Sequence, residues 1–303
     1  MRNIRTNKLL AIIIVNWERE EDTLACLLSI QKFYKSFNEY EIILIDNGSK
    51  SGIEKIKKYK FNFDINVIEN DINLGFTGGN NVGINYALIR NIPFVLLLNN
   101  DTVIVDNSIK LVLEKIKMNN DYGAIGIINY YHDSPNRIWQ SGFDYNFKNG
   151  KFFRVESVKK SGELINVDYV PGSSILIRSC LIKSIGDLDN NYFAFWEEID
   201  FCLRIKKIGY KIAYLQGTKI LHKIKSSTNS NLHLYLSTRN RFYFLKKFSN
   251  RSVLNKSILF LIIKFLVKKI IRKEKRSTWI IIVAIYDFYK NKLGNYRIDK
   301  FIN

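Results

Sequence analysis

The sequence predicts an α/β fold, with a mostly parallel central sheet and helices on both faces. Three observations predict it. Short runs rich in Ile, Leu and Val, of the kind buried on both faces, recur at 9–15, 41–45, 65–68 and 94–98. Helical patterning lies between them, at the spacing of strand–helix–strand units. Clusters of Asn and Asp close the runs at their carboxyl ends, which is where open α/β sheets bind ligands.

Each element follows from its residues. Leu9–Val15 is a buried strand, and Glu21–Phe37 carries Leu24, Leu27, Leu28, Ile30 and Phe33 at helical spacing. Glu41–Ile45 is a second strand, stopped by Asp46-Asn47-Gly48-Ser49, and Ile53–Tyr59 is a short helix. Ile65–Ile68 precedes the Gly/Asn-rich stretch Asn73–Gly83, and Asn80–Arg90 is helical. Phe94–Leu98 ends at Asn99-Asn100-Asp101. Further on, Val167–Val170, Pro171-Gly172 and Ser174–Ile177 read as strand, tight turn, strand. An aromatic cluster, Tyr192–Trp196, runs directly into Glu197-Glu198-Ile199-Asp200.

Composition narrows the classes. The chain has 303 residues, 47% hydrophobic, which excludes a disordered protein. Its 3 scattered cysteines form no CxxC pair, which excludes a disulfide scaffold or a cysteine-ligated zinc site. Basic Met1–Lys8 before apolar Leu9–Val15 faintly imitates a signal peptide, but the apolar run is too short and is read as a strand. No apolar run reaches the roughly 18 residues of a spanning helix.

The net charge of +19 is concentrated at one end: residues 232–303 hold 17 Lys/Arg against 3 Asp/Glu. Two domains are expected, an α/β domain at 1–245 and basic amphipathic helices at 246–303. Within 253–290, Lys264 and Lys268 lie on one helical stripe beside Ile258–Val267 and Trp279–Tyr286. Such helices suit an anionic membrane surface, or a partner subunit.

Several clusters carry chemistry. Asn73–Gly83 is neither a Walker loop nor a Rossmann fingerprint. Its glycines let a backbone approach a ligand, or simply close a tight loop. Asp101, at the end of a buried strand, is a ligand for Mg²⁺ or Mn²⁺ bridging a diphosphate, or a turn residue. Glu197 and Asp200 share a helical face, with adjacent aromatics that raise a carboxyl pKa toward that of a general base; the alternative is an acidic helix start. His222, after Ile220-Leu221, is a late metal ligand or a structural histidine. Arg239-Asn240-Arg241 holds a diphosphate or is solvated.

Taken in order, Val15-Asn16-Trp17, Asp46–Ser49, Asn73–Gly83, Leu98–Thr102, Pro171–Ser173, Phe195–Arg204 and His222 resemble the family 2 glycosyltransferases of GT-A fold, in particular bacterial rhamnosyltransferase-like members. The resemblance spans roughly 9–245 and implies a Rossmann-like sheet and an inverting, metal-dependent transferase. It places Asn16, Asp46, Asn73, Gly75, Gly79, Asn80, Asn100 and Asp101 on the nucleotide-sugar side. It makes Asp101 and His222 metal ligands, with Asn99 at the first acidic position of the family's DXD motif. Glu198 matches the catalytic base, with Glu197 its rival, and Gly172 and Trp196 shape the acceptor side. It implies dTDP-L-rhamnose as donor, then UDP-hexoses, and a lipid-linked glycan as acceptor. The expected location is the cytoplasmic face of the plasma membrane. A nucleotidyltransferase would need a basic loop near the N-terminus, where Trp17–Asp22 is mainly acidic. A nucleic-acid-binding module fits the charge but shows no RNP, zinc-finger or helix-turn-helix pattern.

Overall fold

The Ile-rich run after residue 9 forms an interior strand of an eight-stranded sheet. A computed structural model describes residues 8–34, 39–156, 160–224, 230–272 and 275–302, with side chains except for 264–272, 275 and 302. The Lys264–Lys268 stripe therefore lies outside the described side chains.

The first half contains β1 (Leu10–Asn16), α1 (Glu20–Phe33), β2 (Tyr40–Asn47), α2 (Glu54–Lys58), β3 (Ile65–Asn70), α3 (Gly75–Ile89) and β4 (Phe94–Asn99). β1 pairs in parallel with β2 and β4, and β2 with β3. The alternation along β1 feeds two cores. Ala11 and Ile13 face the side of α3, while Leu10, Ile12 and Ile14 face the side of α1 and α4 (Ser108–Met118). The register sets Asn16 opposite Asp46 and Val15 opposite Asn99, so the polar strand ends form one edge.

Between β4 and α4 lies β5 (Thr102–Ile104). Beyond α4 come β6 (Tyr122–Gly126), β7 (Asn129–Tyr131), β8 (Ser134–Gln140), β9 (Gly142–Asn146), β10 (Lys151–Val155), β11 (Leu164–Val167), β12 (Ser174–Arg178), α5 (Ser179–Ile185), α6 (Glu197–Lys207), β13 (Lys211–Leu215) and β14 (Ile220–His222). The strand order of the large sheet is β11-β13-β6-β12-β4-β1-β2-β3. β12 runs antiparallel to both β4 and β6. A second sheet, β5-β14-β7-β8, carries His222 next to Thr102. The chain ends in α7 (Ser230–Phe248), α8 (Arg251–Arg272), α9 (Lys275–Tyr289) and α10 (Asp299–Ile302).

Three expectations are corrected. α1 ends at Phe33, where the Tyr34 backbone leaves the helix at φ −120°, and residues 35–37 of the expected helix lie outside the described residues. α3 starts at Gly75, five residues before the expected Asn80, because tertiary partners cap its first turn. β11 ends at Val167 and is separated from β12 by β13 and β6, so the expected strand–turn–strand pair does not form. α7 spans residue 245. Val253, Ile258, Ile281, Ile285 and Phe288 share a core with the sheet.

The two faces of α9 differ in kind. Ile280, Ile281, Ala284 and Asp287 point inward and are buried, and Asp287 accepts from the Tyr235 hydroxyl and pairs with Arg297. Trp279, Ile282, Tyr286 and Tyr289, spaced three, four and three apart, are exposed, as are Leu259, Phe260 and Ile263 of α8. Among the described residues no helix is long and apolar enough to cross a membrane.

Candidate active site

A cavity of about 160 Å³ lies beyond the carboxyl ends of β1, β2 and β4. The expected donor residues Asn73, Gly75, Asn80, Asn100 and Asp101 line it. Asn16 and Asp46 are buried beside it and are not among its lining residues: the Asn16 amide donates to Asp46 at 3.0 Å and Ser49 at 3.1 Å, and accepts from Thr23 at 2.7 Å. It is Asn47, the next residue, that lines the cavity. The Asn47 amide nitrogen donates to Asn73 and to the Gly75 carbonyl, both at 3.0 Å, while its oxygen accepts from Asn70 and the Leu74 N–H. The sequence marked Asn47 only as part of a turn cluster.

Gly75 is the hinge of this wall. Its φ is +75°, and a Cβ there would overlap the Phe193 carbonyl, which instead accepts the Thr77 N–H at 3.0 Å. Gly79 does not face the cavity. It packs against Val15 and Asn47, bringing α3 close to β1. Arg19 and Asp22, which the sequence did not single out, also line the cavity, and Asp22 pairs with Lys223 at 3.0 Å.

Asp101 and His222 meet at the cavity's edge. His222 Nε2 lies 3.3 Å from Asp101 Oδ1 and 3.3 Å from the Asn99 amide nitrogen, and the Trp139 ring covers it at 4.4 Å. Burial pushes the Asp101 carboxyl up to about 7 and the His222 imidazole down to about 4, so the histidine is neutral with a lone pair available for a cation. Asp101 Oδ1 and Asn99 Oδ1 are buried without a hydrogen-bond partner. Unsatisfied buried acceptors beside a neutral imidazole fit a hard divalent cation. No group of three His, Cys, Asp or Glu is found among the described residues, so diphosphate oxygens and water would supply the other positions.

The opposite wall is made by the aromatic segment, of which Phe193 and Ala194 line the cavity. Phe193, Phe195 and Trp196 have φ of 67°, 70° and 81°. Such left-handed non-glycine residues cost on the order of 1–3 kcal/mol each and cluster at functional sites. α6 begins directly after them. Glu197 is 3% exposed, and burial followed by the charge of Glu198 holds its carboxyl well above the usual range. Glu198 is half-buried, and burial raises it to about 7. A Cβ on Gly172 would lie 3.3 Å from Glu198 Cβ and 3.5 Å from the Phe76 ring, which itself lines the cavity. Gly172, Phe76 and Glu198 are thus contiguous with the cavity wall. Trp196 stacks away from it, against Phe152 and Phe244. Asp200 is wholly buried and bound by Arg204, Tyr192 and Lys247, which makes it structural.

The Arg239-Asn240 pair is neither solvated nor among the residues lining the cavity. Both side chains are 0% exposed and bind backbone carbonyls of the aromatic segment. A run of charge in sequence gave no sign of this.

The family model for glycosyl transferase family 2 matches residues 11–181, more than half of the chain. The chain belongs to glycosyl transferase family 2. This transferase is 30% identical over 262 residues to the low-salt glycan biosynthesis hexosyltransferase Agl10 of Haloferax volcanii, covering 82% of the chain and 78% of the relative. It is 23% identical to the rhamnosyltransferase WbbL of Escherichia coli, covering 72% and 83%. A structure of GalNAc-T7 with UDP, GalNAc and Mn²⁺ superposes with a TM-score of 0.57 at 17% identity, covering 79% of the chain but only about half (48%) of that protein. The transferase therefore has the GT-A fold, and the rhamnosyltransferase-like resemblance of its motifs agrees with its relatives.

Proposed function

We propose that this transferase moves a hexose from a nucleoside diphosphate to a hydroxyl of a lipid-linked surface glycan, with inversion. L-Rhamnose from dTDP-L-rhamnose is the first candidate donor and UDP-hexoses the second. The observation that carries this reading is the single cavity flanked by Asp101 and His222 at one edge and by Glu198, through Gly172 and Phe76, at the other.

Asp101 and His222 would hold Mg²⁺ or Mn²⁺. A bound divalent ion neutralises charge growing on the diphosphate. Arg19 lines the same cavity and adds a cation at the diphosphate. Asn47 keeps Asn73 and Gly75 in place around the nucleotide sugar. Glu198, ionising near neutral pH, takes the acceptor proton as that oxygen attacks the anomeric carbon, and the diphosphate leaves from the opposite face. Glu197, fully buried with its carboxyl pushed well above the usual range by burial and then by the charge of Glu198, is the weaker candidate for base.

A panel of nucleotide sugars with Mg²⁺ or Mn²⁺, read by thermal shift and transfer, tests the donor. At one hundred times its dissociation constant the true donor adds about 2.7 kcal/mol of stability. A panel in which no dTDP- or UDP-sugar shifts the melting curve would remove this reading.

The exposed stripe of α8 and α9 supports peripheral attachment to the cytoplasmic face of an anionic membrane. Among described residues beyond 245, the acidic side chains are the buried Asp287 and the exposed Asp299. Exposed apolar and aromatic residues beside excess Lys and Arg match an interfacial surface. Full-length protein should sediment with anionic vesicles, and the double substitution Ile282→Glu and Tyr286→Glu should release it. Equal binding by both proteins would show that this face is not the contact.

A further inference from the structure

A buried chain of hydrogen bonds links the end of β2 to the turn that follows β4. Asn16 Nδ2 donates to Asp46 Oδ1 at 3.0 Å, Thr23 Oγ1 donates to Asn16 Oδ1 at 2.7 Å, and Asn100 Nδ2 donates to Thr23 Oγ1 at 2.9 Å. Asn16 and Thr23 are 0% exposed and Asp46 is 4% exposed, so water does not compete along the chain. Asn100 stands at its far end and lines the cavity. Thr23, in the first turn of α1, is not itself a lining residue.

The first member dictates the direction of every bond in this chain. A carboxylate only accepts, so Asp46 takes the nitrogen end of the Asn16 amide. The Ser49 hydroxyl also donates to Asp46 and accepts from the same nitrogen at 3.1 Å. The Asn16 oxygen is left for Thr23. The other neighbour of the Thr23 hydroxyl, the Arg19 carbonyl at 3.0 Å, is an acceptor as well. The one hydroxyl proton is therefore claimed by these two acceptors, and Asn100 meets a lone pair that only its nitrogen can answer. The Asn100 oxygen is the end that remains, and it makes no hydrogen bond among the described residues. An oxygen in that place accepts from a hydroxyl and disfavours a phosphate oxygen.

We propose that Thr23 is a positioning residue for donor binding: it fixes the Asn100 amide with its oxygen toward the cavity, where it accepts a hydrogen bond from a hydroxyl of the nucleotide sugar. This role rests on the reading of the cavity as the nucleotide-sugar site. Other groups hold the backbone of the same turn. Thr102 Oγ1 donates to the Asn99 carbonyl at 2.7 Å, and the Lys223 N–H to the Asp101 carbonyl at 2.8 Å. Loss of the Thr23 hydroxyl thus frees the Asn100 side chain without releasing Asp101.

Thr23→Val keeps the shape of the side chain and removes the hydroxyl. Calorimetry on the full chain with Mn²⁺ and either UDP-glucose or dTDP-L-rhamnose, whichever the parent binds more tightly, reads the effect. We expect Thr23→Val to weaken binding about tenfold, the scale of one hydrogen bond. Thr23→Ser, which restores the hydroxyl, should bind within about twofold of the parent on the same scale. Asn100→Ala should lose as much as Thr23→Val, and adding Thr23→Val to it should cost nothing more, because the two residues act through one contact. If Thr23→Val fails to fold, Thr23→Cys offers only a weak thiol partner in a similar volume, and the same coupling with Asn100→Ala is expected. Parent-like affinity in the folded Thr23 variant overturns the proposal. So does a double variant about a hundredfold weaker than the parent, the product of two independent losses. If the parent binds neither nucleotide sugar, the donor reading falls first and takes this role with it.

Discussion

At the donor end, Asn99, Asn100 and Asp101 continue straight off β4, and Asn47 straight off β2. At the acceptor end, the wall is a bent aromatic segment with three left-handed residues, held by Asn240 and Arg239 about forty-five residues later in the chain. The first wall is positioned by strands that would form in this order in any parallel sheet. The second needs a helix from the far end of the chain before its backbone conformation is affordable. The difference teaches that the strand-end wall of this cleft rests on the sheet, whereas the aromatic wall beside Glu198 rests on packing of α7.

The largest expected break is at the base. Glu198→Gln should cost roughly 10²–10⁴-fold in transfer, with donor affinity by calorimetry within about twofold of the parent on the same argument. Glu197→Gln should leave transfer largely intact, and the reverse result would exchange the two roles. With the parent enzyme, transfer should rise with pH through about 7, because Glu198 must lose its proton to act and its carboxyl is raised to that value.

Next comes the donor end. Asp101→Ala or His222→Ala should weaken Mn²⁺-dependent donor binding by roughly 10²-fold, the scale of a few kcal/mol of lost charge stabilisation. Unchanged affinity in the presence of Mn²⁺ would remove both residues from the ion site.

Gly75 joins the two walls, and its substitution measures the joint. Gly75→Ala should destabilise by about 1–3 kcal/mol for the strained φ, with a further loss from overlap with Phe193, measured by urea unfolding. Gly52, with φ of +67° and nothing within 4 Å of a Cβ, is the control: Gly52→Ala should show only the backbone part. Equal losses at both sites would mean that the contact with the aromatic segment carries no weight.

The smallest effect concerns Glu197. Its carboxyl is raised in the folded protein, so its contribution is fully present below the unfolded value near pH 4.5 and fades as pH rises toward the folded one. Glu197→Gln removes that fading, and its melting temperature should exceed the parent's by more at pH 8 than at pH 5. A gap independent of pH would show that Glu197 is not held protonated.

Much of the donor half was legible because its signals are local. Ile12–Ile14, Ile42–Ile45 and Leu96–Leu98 are continuous apolar runs that only a strand buried on both faces explains, and each ends at an Asn or Asp. Legibility failed where the deciding partner is distant. The start of α3 at Gly75 depends on the Phe193 carbonyl, over a hundred residues away. Asn16 and Asp46 lie 30 residues apart, and only the register of β1 against β2 brings their side chains into a hydrogen bond. Arg239 and Asn240 sit in a basic stretch that reads as solvent-exposed, and burial against the aromatic segment reverses that reading.

By itself, the sequence determined the parallel strands β1 to β4 of the sheet and the polar edge at their carboxyl ends, where Asp101 follows β4. Hydrophobic periodicity and turn chemistry act within a few residues, and these features need nothing longer. Only the tertiary structure decided which asparagine faces the cavity and why three residues before α6 are left-handed. It also decided that Glu198, rather than Glu197, keeps partial access. Each of those depends on carbonyls, amides and buried carboxylates brought together from separate elements of the chain, where hydrogen bonding and desolvation act across space and leave no period in the sequence.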